Sequence, residues 1–131
     1  MTDEELKEMI LEHMQNGFLE NIIDMFKHDK SLYPFIVDMI RDERMRVRLG
    51  AAALVEELTK YRIELLIKLV PDIAELLKSD NPMIRGDGAY LLGLINHKDV
   101  LPYLLKAESD EDISVREIVR DAINGINGSF E

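Results

Sequence analysis

Three prolines in this chain stand the same distance ahead of three arginines. Pro34, Pro71 and Pro102 each precede by fourteen residues Arg48, Arg85 and Arg116, and each arginine follows a β-branched residue, Val47, Ile84 or Val115. A spacing kept three times marks a repeated supersecondary unit, which buries its apolar face only by stacking on its neighbours. The units are 37 residues apart at the first step and 31 at the second.

Within and around these units the apolar spacing is helical, as in Leu6, Ile10 and Met14, or Phe35, Met39 and Ile40. No period-two strand pattern competes with it. Turn chemistry at Asn16-Gly17, His28 to Ser31, Asp42-Glu43, Ser79 to Pro82, His97 to Asp99 and Ser109 to Asp112 divides the chain. The spacing predicts eight helices, near 3–15, 18–28, 31–41, 44–60, 62–78, 82–96, 99–107 and 113–126. Thr2 with Glu5 reads as a capping box, Asn81 before Pro82 as an N-cap, and Gly17 as a left-handed helix stop.

Aligned on the arginines, the units read Val47-Arg-Leu-Gly-Ala-Ala-Ala-Leu, Ile84-Arg-Gly-Asp-Gly-Ala-Tyr-Leu and Val115-Arg-Glu-Ile-Val-Arg-Asp-Ala. With proline in the first helix, acid in the turn (Asp42, Asp80, Asp110) and small residues opening the second helix, residues 32–126 resemble the HEAT family. The likeness is to its short repeats of roughly 31 residues, which also occur in phycobilin lyase subunits. The resemblance implies an all-α, α-α superhelix of about four antiparallel hairpins in a single domain. Its parts would be a capping hairpin over 1–31, repeats over 32–61, 62–97 and 98–126, and a flexible tail over 127–131. The alternative for 1–31, which lacks the Val-Arg motif, is two helices packed across the end in another orientation. The six extra residues before Pro71 are expected to lengthen the fifth helix at its start. In the third unit Val119-Arg120 replaces small residues, which suits a terminal cap.

Charge and composition exclude several functions. The net charge is −10, so the overall field opposes phosphate backbones and nucleic acid is a disfavoured partner. HEAT-like DNA glycosylases bind DNA through a basic concave face, but here Asp42 and Glu43 interrupt the one basic cluster, Arg41, Arg44, Arg46 and Arg48. The absence of cysteine removes disulfides, thiolate chemistry and cysteine zinc sites, and fits a cytoplasmic protein. The acidic start MTDEELKEMI is unlike a signal peptide, and no apolar run approaches 18 residues, so neither export nor membrane insertion is expected. His13, His28 and His97 lie in separate segments, with no His-Glu dipeptide of the kind that HEAT-like deoxyhypusine hydroxylases use to hold iron. Gly86, Gly88 and Gly93 follow no strand and read as helix-packing positions, not as a phosphate loop. No metal, cofactor or catalytic residue is assigned, and an enzyme is not expected.

The family architecture instead implies binding of a protein or peptide on the concave face of the second helices. There the expected outward positions are Leu49, Glu56 and Lys60 with Ala53, then Tyr90 and His97 with Gly86 and Gly93, then Glu117, Asp121 and Asn124. Tyr90 would be central, either as an interface anchor or packed between helices with its hydroxyl at the edge. Arg48, Arg85 and Arg116 are expected to form a structural ladder with turn acids of neighbouring units, an anion-binding row being the alternative. Arg44, outside the repeated position, reads as a plain surface charge. Two further expectations are an accessory role in a phycobilin lyase, and weak self-association through repeat ends, with Ile118, Ile123 and Ile126 forming an apolar patch.

Overall fold

A computed structural model describes residues 1–129, and among them every regular element is helical. Eight α-helices run in order: α1 Asp3–Gln15, α2 Leu19–His28, α3 Phe35–Arg41, α4 Met45–Leu58, α5 Ile63–Glu75, α6 Pro82–Ile95, α7 Leu101–Lys106 and α8 Ile113–Ser129. The starts follow local chemistry. Thr2 and Glu5 bond each other's backbone N–H at 3.1 Å, and Asn81 accepts from the Met83 N–H at 2.9 Å. Gly17 ends α1 at φ +88°, and Asn96 ends α6 in the same left-handed region.

Prolines explain where boundaries depart from the sequence expectation. The helix expected over 31–41 is divided into a 3₁₀ turn at Lys30–Leu32 and α3, because Pro34 has no N–H to carry the ladder across. Another 3₁₀ turn, Lys98–Val100, precedes α7, which has Pro102 in its first turn. Pro71 instead lies inside α5, so the extra residues do extend that helix ahead of the proline, and its last turn tightens to 3₁₀ at Leu76–Lys78. The flexible tail is a correction over 127–129, which continue α8: the Asn96 amide donates to Ser129 Oγ at 3.1 Å, and that hydroxyl bonds the Gly125 carbonyl. Residues 130 and 131 of the expected tail lie outside the described residues.

The even-numbered helices pack in succession, α2 on α4, α4 on α6 and α6 on α8. The odd-numbered ones lie against them: α1 on α2 and α4, α3 and α5 each on α4 and α6, and α7 on α8. One apolar core runs through the whole, from Ile10 and Ile22 by way of Ile36, Leu54, Leu66 and Leu92 to Val119 and Ile126. Small residues set the closest approaches. A Cβ on Gly93 would stand 3.0 Å from Ala122 Cβ, and one on Gly86 3.2 Å from Ile118 Cδ1, so two glycines seven residues apart let α6 meet α8. The apolar end patch does not form, since Ile123 and Ile126 are buried and Ile118 packs against the core.

Candidate functional site

The three repeated arginines keep one geometry. Arg48, Arg85 and Arg116 each donate through Nη1 to the carbonyl six residues earlier, of Asp42, Ser79 and Asp110, at 2.8, 2.8 and 2.7 Å. Each of those turn residues also accepts a backbone N–H two residues on with its own side chain. The turn residue in register with Asp42 and Asp110 is therefore Ser79, which corrects the assignment of Asp80 to that position. The shift decides where the charges go. Arg85 reaches forward to Asp110 of the following unit with two bonds, 2.9 and 3.1 Å, while Arg48 finds a serine at the equivalent place and pairs with Asp87 at 3.4 Å. Arg116 makes its carbonyl bond but no ion pair among the described residues. With Arg48 and Arg85 almost wholly covered, the ladder joins units and offers no open anion row.

Arg44 is not the plain surface charge expected of it. It grips the Asp42 carboxylate with two bonds, 2.9 and 3.0 Å, and reaches Glu12 of α1 at 3.1 Å, tying the first hairpin to the second. Arg46 donates to the Gln15 carbonyl at 3.2 Å. The basic cluster is thus largely spent on α1 and the turn.

Beside the ladder, α4, α6 and α8 present a common face. Tyr90 is 52% exposed on it, so its ring is not packed between helices. A depression of about 260 Å³ lies on its α4 side, walled by Met45, Leu49, Met83 and Asp87. Another of about 340 Å³ lies on its α8 side, walled by Leu94, Ile118, Asp121 and Ala122 and floored by Gly93 and Gly125. Where the glycines bring α6 onto α8, they also leave room above the contact. Met45, Leu49 and Met83 are 65%, 64% and 53% exposed, unusual for large apolar side chains. Burial pushes the Asp87 carboxyl up from its ordinary range, an effect only partly countered by Arg48.

Of the positions expected on this face, the structure brings Leu49, Tyr90 and Asp121 together at the two depressions. Glu56 lies two turns along α4 from Leu49 and is exposed. Lys60 and His97 fall beyond the ends of α4 and α6, where Lys60 pairs with Glu57 at 3.1 Å and His97 Nδ1 accepts the Asp99 N–H at 3.1 Å. Both belong to turns, not to the face. Glu117 and Asn124 are exposed on α8 but line neither depression. Met45 and Met83 lie one turn ahead of the expected stripes and were not among the expected positions. The signal was present: Met45 stands four residues before Leu49 and Met83 seven before Tyr90, so each shares a helical face with a residue expected there.

Among the described residues no group of three or more His, Asp or Glu is placed to hold a metal ion, and no helix is long and apolar enough to cross a membrane. No protein-family model matches the chain, and no curated protein matches it in sequence.

Proposed function

We propose that this chain is a HEAT-like solenoid that acts as a non-enzymatic interaction module, binding a protein or peptide through the face of α4, α6 and α8. The superhelical reading is supported by the even helices packing in succession and by the arginine-to-carbonyl bond repeated in three units. The observation that carries the binding reading is Tyr90, half-exposed between two depressions with Leu49 and Met83 beside it. An aromatic ring that keeps its apolar body open to water at the centre of a concave patch is a common interface anchor.

The test is affinity capture from the native host with parent and Tyr90→Ala baits, read by quantitative mass spectrometry. A partner retained by the parent and depleted about tenfold or more on Tyr90→Ala, with equal helicity and melting of the two baits, supports the reading. A variant that melts earlier yet captures the same partners returns Tyr90 to a packing role and sinks it. The family resemblance names one other occupant, a bilin. A shifted visible spectrum on adding bilin, lost in Tyr90→Ala, would turn the face toward handling a pigment.

A further inference from the structure

Carboxylates outnumber bases around the two depressions. Asp87 and Asp121 line the two depressions, and Glu56 stands exposed on the same stripe of α4 as Leu49. Arg48 is the one base lining either depression among the described residues, and its guanidinium is already held by the Asp42 and Glu43 carbonyls at 2.8 Å and by Asp87. The side chains of Glu56 and Asp121 make no hydrogen bond or ion pair among the described residues. Asp87 is paired with Arg48 and Glu56 has Lys60 within electrostatic reach, but Asp121 has no such partner among the described residues. An acidic segment or a phosphate-bearing partner would meet a net excess of carboxylates there, within a protein of net charge −10.

The spacing of the depressions adds a second constraint. They lie on opposite sides of α6, in the grooves it forms with α4 and α8, and packed helices stand about 8–10 Å apart. Seven residues of helix rise about 10 Å, so apolar side chains at i and i+7 on one face of a helix span that interval. The residue at i+3 or i+4 then falls over the Tyr90 ring.

Resting on the docking role proposed above, we infer that the face receives a basic amphipathic helix of a partner protein. It sets two apolar side chains into the depressions flanking Tyr90 and lysines or arginines against Glu56 and Asp121. Apolar burial supplies the affinity, and the carboxylates select the sign of the partner.

The probes are two synthetic helices of about five turns. Both carry leucine at i, i+3 and i+7, one with lysine and arginine on its flanks and the other with glutamate. Binding is followed by calorimetry and by backbone amide shifts. The basic helix is expected to shift Leu49, Met83 and Tyr90 amides. Tyr90→Ala is expected to weaken it about tenfold or more. Neutralising the rim with Glu56→Gln and Asp121→Asn together is expected to weaken it about three- to tenfold, a difference that fades at high salt. Glu8→Gln with Glu108→Gln makes the same change in net charge at other exposed positions and is expected to cost much less. An equal loss from that remote pair means the attraction is the field of the whole protein, and overturns the inference. Equal or tighter binding of the glutamate helix overturns the charge class while leaving the docking role intact. If neither helix moves those amides, the inference fails; the docking role then stands or falls separately, on whether Tyr90→Ala loses the host partner.

Discussion

Taking away the Arg85 side chain would leave the Asp110 carboxylate, itself 11% exposed, and the Ser79 carbonyl without their guanidinium donors. Buried acceptors stripped of a charged donor are costly, so Arg85→Ala is expected to lower Tm by roughly 5–10 °C. Arg116→Ala loses one carbonyl bond and no carboxylate and is expected to shift Tm less, and equal shifts in the two melts would contradict the ladder. The same contacts make stability depend on pH. Hydrogen bonds from Arg85 hold the Asp110 carboxyl below its usual range, and Arg44 does the same to Asp42. Their stabilisation is complete above the unfolded carboxylate pKa of about 4 and is lost as pH falls through the lower folded values. Asp87 has the opposite sign: its raised folded pKa makes the protein lose stability as pH rises from the unfolded to the folded value. Asp110→Asn is therefore expected to be less stable than the parent at neutral pH, the gap closing as the solution is acidified below about 4. A gap that persists in acid melts would mean that the charge of Asp110 is not what counts. That the three arginines share a role was legible, because Val/Ile-Arg recurs with the proline spacing. Their acids were misassigned although a signal was there: Asp42 and Asp110 stand six residues before their arginines and Asp80 only five, so the register points to Ser79. The pairing of Arg48 with Asp87 is a tertiary contact that no spacing shows.

Helices and their order were legible because apolar residues at i, i+3 and i+4 form a stripe whatever the tertiary context, and all eight segments are where that stripe runs. Close approach between helices was legible only as a preference for small residues. Two glycines of similar appearance have opposite roles. Gly93 faces the Ala122 Cβ, a stub that cannot rotate away, so Gly93→Ala should push α8 off α6 and cost about 1–3 kcal/mol in urea melts. Gly125, in the interior of α8, has nothing within 4 Å of a built Cβ, and Gly125→Ala should stabilise by about 0.5–1 kcal/mol through helix propensity. If both substitutions destabilise alike, contact is not what distinguishes them. The end of α8 was misread for a related reason. Asn127 and Gly128 are poor helix formers, and the side chain of Asn96, which supports the last turn through Ser129, lies 33 residues away in sequence.

At the scale of the molecule, what α8 shows on its outer flank determines whether another helix can stack there as α8 stacks on α6. Gly86 and Gly93 of α6 meet α8, with buried Ala89 between them in sequence, and 31 residues on, in the repeat register, stand Glu117, Arg120 and Asn124. All three are exposed, and each replaces a residue with little or no side chain by a long or polar one that would hold a neighbouring helix away and lose its hydration on contact. With Ile123 and Ile126 turned into the core, Ile113 at the start of α8 is the one large apolar side chain that this helix leaves exposed among the described residues, a small area for self-association. The net charge of −10 adds repulsion between copies at low salt. The parent is therefore expected to sediment as a monomer across a dilution series. Restoring small residues with Glu117→Ala, Arg120→Ala and Asn124→Ala recreates the kind of surface that α6 offers to α8. It should introduce a concentration-dependent dimer with the helicity of the monomer unchanged. A parent that already dimerises, and is unaffected by the triple substitution, would place self-association on another surface, and Tyr90→Ala sedimented beside it would tell whether that surface is the face of α4, α6 and α8.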